Sequence, residues 1–376
     1  MTVGIDANEA NVKRRVGISE YVFQLLVQFH KLSSDNKKFV IYLKDEPSAD
    51  FPKETSSWKY SVVGPRRMWT QIGLPFHLFL KREKIDVFFS PGHYAPRFSP
   101  VPTVISIMDL AFLHFPDYFT KKDLAQLKSW TSYSIKKAKA VLAISQSSKD
   151  DIIKLYGIPE DKVQVTYLGI KDGASLTPHI YPMQELQTKY GISKEFVLFV
   201  GTLQPRKNIV RLIEAFSTLL KKDSFNKSDL QLVIVGKKGW QYEPILEAPK
   251  KFGVEERVKF LNFVPDDELV LLYKNALCFA WPSLYEGFGL PILEAMKMGC
   301  PVITSNVSSM PEAGGDAAIY VDPTSTEDIA KKLDQVLSDS KLRQELIEKG
   351  RKQVLKFDWE NTARETLSVL EKVAKA

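Results

Sequence analysis

Cysteine is almost missing. The 376 residues hold two, Cys278 and Cys300. Both stand among apolar neighbours and neither has a companion at metal-ligand spacing. That excludes a disulfide-built scaffold and a zinc ribbon, and points to buried thiols in a reducing compartment. No stretch approaches the roughly 18 uninterrupted apolar residues of a spanning helix. The opening MTVGIDANEA has no basic n-region and no long apolar run, so no secretory leader is expected. Fixed-period repeats and low-complexity segments are also lacking.

What is present is an ordinary soluble composition, 44% hydrophobic and 26% charged, in a chain too long for one core. Two domains are expected. The formal charge is +7, and the whole surplus lies in residues 1–180. A basic first half beside a balanced second half suits an anionic partner, although a solubility feature would look the same.

Short β-rich runs recur: VGID (3–6), FVIYL (39–43), DVFFS (86–90), TVISI (103–107), AVLAIS (140–145) and VQVTYL (163–168) in the first half. FVLFVG (196–201), QLVIVG (231–236), VKFL (258–261), LCFAWPS (277–283) and PVITSN (301–306) follow in the second. Runs that are apolar throughout imply strands buried on both faces of parallel sheets. Amphipathic stretches such as ISEYVFQLLVQF, NIVRLIEAFSTLL, DDELVLLYKNA and STEDIAKKLDQVLSD alternate with them. The pattern predicts an α/β chain of two doubly wound, Rossmann-like domains, with ligands beyond the carboxyl ends of the strands in a cleft that the two domains face. The turn-rich segment 171–184 marks the break. The expected division is 1–180, 181–355, and a final helix over 356–376.

The segment SLYEGFGLPILEAMKMGCPVITSN (283–306) carries the chemistry. Pro291 suits the first turn of a helix and Gly299 its stop, so Leu290–Met298 is a predicted helix fed by the turn Gly287-Phe288-Gly289. Such an N-terminus favours an anion, and glycines let backbone approach a phosphate. Glu286 would repel a phosphate placed directly on it but suits the hydroxyls of a sugar. Glu294, one turn into the helix, suits a second polyol such as a ribose. Hydroxyls at both ends with a diphosphate between describe a nucleotide-sugar. Solvated surface glutamates are the plain alternative; a glycosidase pair would leave the turn unexplained.

The same segment resembles the E-x7-E signature of glycosyltransferase family 4, retaining enzymes of the GT-B fold. FVGTLQPRKNIVRLIEAF (199–216), SSMPEAGGDAAIYVDP (308–323), AISQSSKDDIIKLYGIPEDKVQVTYLGI (143–170) and KFDWENTARETL (356–367) extend the likeness over nearly the whole chain. The resemblance implies an acceptor domain first, a donor domain second, and a last helix that crosses back. By matched position Glu286 would hold donor-sugar hydroxyls and Glu294 the ribose. Backbone around Phe288, Gly289 and Leu290 would contact phosphate and sugar, and Arg206 and Lys207 would neutralise the leaving diphosphate. Two cations at a helix start oppose its dipole, which favours an anionic ligand over a merely solvated turn.

In the first half Gly17 matches the family's glycine at the cleft mouth, though an ordinary turn would also use one. Asp109, at the end of VISIMD, would sit at a strand's carboxyl end and face the cleft, or cap a helix or turn. Two positions depart from the family. Met108 replaces a usual histidine, whose contact His93 could take over, unless His93 is a core or surface side chain. Thr202 replaces a usual arginine, leaving more of the diphosphate charge to Arg206 and Lys207.

The family implies front-face retention, in which the leaving phosphate helps deprotonate the incoming hydroxyl. The chain has no Asp-x-Asp to grip a metal-diphosphate. No metal and no cofactor is expected, only a nucleotide-diphosphate sugar as donor. GTLQPRKN and LYEGFGLP look like mannosyltransferase-type members, which favours GDP-mannose, with UDP-sugars second. The acceptor would be a glycan or lipid-linked glycan, and no nucleic-acid partner is expected. GPRRMWTQIGLPFHLFLKREK (64–84) and KKDLAQLKSWTSYSIKKAK (121–139) combine basic and apolar residues, which suits an anionic membrane surface or a lipid-diphosphate acceptor, or else core helices with solvated basic faces. The expected location is cytoplasmic, or peripheral at a membrane's inner face. A same-fold epimerase or phosphorylase, and a non-catalytic sugar-nucleotide-binding protein, are the competing functions.

Overall fold

The computed structural model describes residues 1–80, 84–170, 183–222, 225 and 228–376. The expected break at 171–184 falls almost wholly outside them, as do Lys81 and Arg82. The chain forms two compact units, Met1–Gly169 with Phe357–Ala376, and Ile170–Lys356.

The first unit holds a seven-stranded sheet ordered β3-β2-β1-β4-β5-β6-β7. Its strands are β1 (Thr2–Asp6), β2 (Lys38–Leu43), β3 (Trp58–Val62), β4 (Val87–Ser90), β5 (Thr103–Ile107), β6 (Ala140–Ala143) and β7 (Val163–Val165). The second unit orders six strands β10-β9-β8-β11-β12-β13. These are β8 (Phe196–Val200), β9 (Gln231–Val235), β10 (Val258–Leu261), β11 (Cys278–Trp281), β12 (Val302–Ser305) and β13 (Ala318–Val321). All pairings are parallel. Inner strands such as β5 and β11 are buried along their whole length, as uninterrupted apolar runs require. Each fully buried Val, Leu, Ile or Phe contributes about 1.5–3 kcal/mol, so these runs dominate the stability of each unit.

The strand order reverses between β1 and β4 in the first sheet and between β8 and β11 in the second. Loops leaving the carboxyl ends there diverge, and the crevice between them is where doubly wound sheets take ligands. The loop after β1 carries Gly17, and that after β4 carries His93. The loop after β8 carries Arg206 and Lys207, and that after β11 carries Glu286.

The last helix, Trp359–Lys375, packs within the first unit. Thr362 Oγ1 donates to the Tyr167 carbonyl at 2.7 Å, and the Trp359 ring lies 6.2 Å from that of Tyr21. Gly169 permits this seat: a Cβ there would stand 2.3 Å from Trp359 N. Cys278 and Cys300 are buried and unbridged, and burial pushes the Cys278 thiol up to about 12.

Candidate active site

In the second unit the chain leaves β8 and makes a short 3-10 turn, Pro205–Lys207. Asn208 ends it in the left-handed conformation, with φ of 60°. The Asn208 amide donates to the carbonyls of Pro282 and Pro323 at 2.9 and 2.7 Å. Leu284 N donates to the Arg206 carbonyl at 2.9 Å. These bonds stitch the basic turn to the loop after β11, and so decide what its two cations meet.

They meet Glu286. Arg206 Nη1 lies 2.8 Å from Glu286 Oε2, and Lys207 Nζ lies 2.6 Å from Oε1. Arg206 also donates to the Tyr285 carbonyl at 2.5 Å. The Lys207 ammonium sits 4.4 Å from the centre of the Trp281 ring, a further cation–π attraction. All three side chains are 16% exposed or less. Burial by itself would raise the Glu286 carboxyl; the Arg206 and Lys207 charges, with hydrogen bonds from Lys207 and Ser283, outweigh it and hold the group below its ordinary range. The cluster is therefore ionised at neutral pH and carries two positive charges against one negative.

The Glu286 backbone is fixed as well. Ser308 and Ser309 hydroxyls donate to its carbonyl at 2.6 and 2.9 Å, and Ser309 also reaches the Phe288 carbonyl at 2.8 Å. Both serines fall within the segment 308–323, but nothing in their spacing gives them this role; the signal is visible only in the fold. The turn Gly287-Phe288-Gly289 is buried and feeds the helix Leu290–Lys297, one residue shorter than predicted. Gly289 has φ of 115°, and a Cβ there would stand 3.1 Å from Ile292 Cδ1, so the turn needs a glycine. The helix dipole adds a favourable field for an anion at this end. Glu294 lies one turn in, partly buried. Burial first, and then the Glu294 charge, push the neighbouring Tyr273 phenol well above its usual range.

In the first unit Gly17 precedes the helix Ile18–Leu32 with φ of 56°, and open space surrounds its missing Cβ. His93 follows β4, and its Nδ1 is buried without a hydrogen-bond partner. Burial lowers its pKa, while the Asp109 charge acts the other way, so the imidazole is neutral at pH 7. Asp109, after β5, accepts a 2.9 Å bond from Ala111 N and so caps the turn that follows Met108 and itself. Asp6 was not singled out from the sequence. It ends β1, accepts from Asn8 N and Nδ2 at 3.2 and 2.7 Å, and burial raises its carboxyl to about 6.

Among the described residues no group of three or more His, Cys, Asp or Glu side chains is placed to hold a metal ion. Arg206 and Lys207 have the charge and donors to bind the oxygens of a diphosphate, and the two carboxylates can accept from hydroxyls.

Comparison with known proteins agrees with this chemistry. Residues 17–173 match the family model described as Glycosyltransferase Family 4, and residues 183–353 match that described as Glycosyl transferases group 1. The O-antigen chain mannosyltransferase B of Escherichia coli is 31% identical over 311 residues, covering 82% of this chain and 78% of that protein. The serotype-specific mannosyltransferase WbdA of Escherichia coli is 34% identical over 234 residues, 60% of this chain; the match spans only 28% of that longer protein. The structure of a sucrose-phosphate synthase from Thermosynechococcus elongatus superposes with a TM-score of 0.75 at 17% identity, covering 99% and 98% of the two chains, which shows the shared fold. The chain thus belongs to glycosyltransferase family 4 and is a glycosyltransferase of the GT-B fold.

Proposed function

We propose that the protein transfers a mannosyl residue from GDP-mannose to a hydroxyl of a glycan or lipid-linked glycan, with retention at the anomeric carbon and without a metal ion. The observation that carries this is the buried cluster of Arg206, Lys207 and Glu286 at the start of the 290s helix. As the bond from the anomeric carbon to the diphosphate oxygen breaks, negative charge grows on that oxygen. Arg206 and Lys207 stabilise it more in the transition state than in the ground state. The acceptor oxygen bonds the anomeric carbon from the same face, and its proton passes to the leaving phosphate. The products are GDP and the mannoside. Glu286 accepts from the sugar's hydroxyls and Glu294 from the ribose.

The mannose assignment is supported by the mannosyltransferase names of the two Escherichia coli relatives. A place in O-antigen or similar polysaccharide synthesis, on the cytoplasmic side of a membrane and with a lipid-linked acceptor, is consistent with them. The test is a panel of GDP-mannose and UDP-sugars with a lipid-linked glycan acceptor. Expected are consumption of GDP-mannose, an α-linked product by NMR, and full turnover in chelator. A preferred UDP-sugar, a β-linked product, or loss in chelator restored by magnesium would each overturn the corresponding part.

A further inference from the structure

The amino ends of β5, β6 and β7 border a cavity of about 970 Å³ in the first unit, a volume that suits one small molecule. Doubly wound sheets take their ligands at the opposite, carboxyl ends. β5 begins at Thr103 on the cavity wall and ends two residues before Asp109, so its length, at roughly 3.3 Å per residue, separates the two. Pro96, Val101, Pro102, Ala140, Val369 and Val373 give the cavity apolar walls. One edge is strained. Phe98 has φ of 58°, which a bulky side chain rarely adopts, and it is 73% exposed. The bonds around it come from the helix Lys121–Lys137: Ala95 N donates to Ser134 Oγ at 2.8 Å, and Phe98 N to Tyr133 Oη at 3.4 Å. They hold the Phe98 and Tyr133 rings on the cavity rather than in the core. Backbone held in this way is a feature of ligand clamps.

The charges at the cavity decide the occupant. Lys137, Lys139 and Lys372 line it and are exposed, and among the described residues none of them forms an ion pair. Lysines at helix ends often do no more than balance the dipole. Here Lys162 already serves the helix Lys121–Lys137, because its Nζ donates to the Lys136 carbonyl at 3.0 Å. Burial, and then the Lys139 charge, hold the Lys162 ammonium below its ordinary range, so the positive charges repel one another. Against these four lysines stand Asp161, about half a charge at each of two helix ends, and a carboxylate at Ala376. A positive balance remains. We propose that this cavity binds a small aromatic anion, an aryl phosphate or carboxylate, at a site separate from that of the donor. Its ring lies against Phe98, Tyr133 and the apolar walls, and its anionic head lies among Lys137, Lys139 and Lys372. The ligand bridges the loop after β4, the helix Lys121–Lys137 and the last helix, so it stabilises the first unit.

The test is titration calorimetry of the full chain with 1-naphthyl phosphate, against 1-naphthol and inorganic phosphate, which carry the ring and the head separately. The intact probe is expected to bind at least about tenfold more tightly than either, and an excess of GDP should not displace it. Lys137→Gln combined with Lys372→Gln should weaken binding about tenfold. Phe98→Gly should weaken it about fivefold. Glycine accepts the left-handed backbone and the lost ring is exposed, so this variant should keep the Tm of the free protein. No binding at millimolar probe, naphthol bound as tightly as its phosphate, displacement by GDP, or affinity unchanged in both variants would each overturn the proposal. The variants lie outside the residues assigned to the donor, so failure of the donor reading would show separately, as the absence of any thermal shift with GDP.

Discussion

Replacing Glu286 by glutamine separates two roles that the site superimposes. In the wild type, Glu286 is the counter-charge of two buried cations, at 2.8 and 2.6 Å. Glu286→Gln keeps the volume and one acceptor oxygen but leaves Arg206 and Lys207 side by side without that counter-charge. Unit charges about 4 Å apart interact by roughly 4 kcal/mol at an effective dielectric of 20. Breaking a buried ion pair by removing one partner costs about 3–5 kcal/mol. The introduced amide can still accept one bond from Lys207, so the lower end, about 3 kcal/mol, is expected. For a unit of this size 1 kcal/mol moves Tm by roughly 2–4 °C, which predicts a fall of about 6–12 °C in the ligand-free protein. GDP should then reverse much of the loss, because its diphosphate supplies the missing negative charge. The GDP-induced rise in Tm should be larger in Glu286→Gln than in wild type, while turnover falls, since the sugar loses its carboxylate acceptor. The pH dependence follows the same cluster. A carboxyl held below its unfolded pKa contributes stability that is fully present above that unfolded value and is lost as pH falls through the folded one. The acid limb of the wild-type Tm profile should therefore flatten in the variant. Scanning calorimetry with and without GDP measures all of this. If ligand-free Glu286→Gln melts within about 2 °C of wild type, or gains less from GDP, the three charges are not coupled as argued.

Gly289→Ala meets a φ of 115° and a Cβ contact of 3.1 Å to Ile292 Cδ1. A strained backbone of this kind costs about 1–3 kcal/mol, so a lower Tm and a raised KM for the donor are expected; an unchanged KM would remove the turn from donor binding. Asp6→Asn tests a carboxyl raised from 3.8 to about 6. Stability from such a group is fully present below its unfolded pKa and is lost as pH rises through about 6. At roughly 1.4 kcal/mol per pH unit, the variant should be more stable than wild type by about 3 kcal/mol at pH 8 and indistinguishable near pH 4. Equal stability at pH 8, by urea titration, would refute the burial argument. His93 is a base whose pKa burial lowers, so its unfolded form protonates first and stability is lost as pH drops below the unfolded value near 6.5. His93→Gln should flatten the Tm profile just below pH 6.5 and raise the donor KM; a flattened profile with unchanged kinetics would mark His93 as structural only.

How much of this was legible in the sequence depended on burial. Strands covered on both faces announce themselves as apolar runs, and TVISI coincides with β5 to the residue; VKFL matches β10 as closely although β10 is a sheet edge. The strands that escaped are both at sheet edges. β3, WKYSV, alternates buried Trp58 and Ser61 with exposed Lys59 and Val62, and β13 buries only its two end residues. β3 has one unpaired side and a half-solvated face, so it lacks the uninterrupted run that served as the signal, whereas β13, AIYV, is apolar throughout and only four residues long. The helix after the glycine turn was readable because Pro291 and Gly299 act through local backbone chemistry. Asp6 was not, because a single carboxylate at a strand end looks the same whether water or protein surrounds it.

The pairing inside the site was hidden for a different reason. Arg206, Lys207 and Glu286 could each be chosen by residue type, but about eighty positions separate the basic turn from the carboxylate, and only the parallel pairing of β8 with β11 brings their loops together. Read singly, the cations look like a standing receptor for diphosphate and the carboxylate like a receptor for a sugar. Read as a cluster, each is the other's partner until the donor arrives. On the proposed reading, donor binding would be an exchange: phosphate oxygens would compete with Glu286 for Arg206 and Lys207, and sugar hydroxyls with those cations for Glu286. Each exchange alone leaves a buried charge short of a partner and is weaker for it. Both together leave none. A nucleotide-diphosphate sugar would satisfy both sides, while the nucleotide alone would satisfy the cations and a free sugar only the carboxylate. On that reading the cluster would favour the intact donor over either fragment, and the coupling that the glutamine variant measures would be the coupling that selects it.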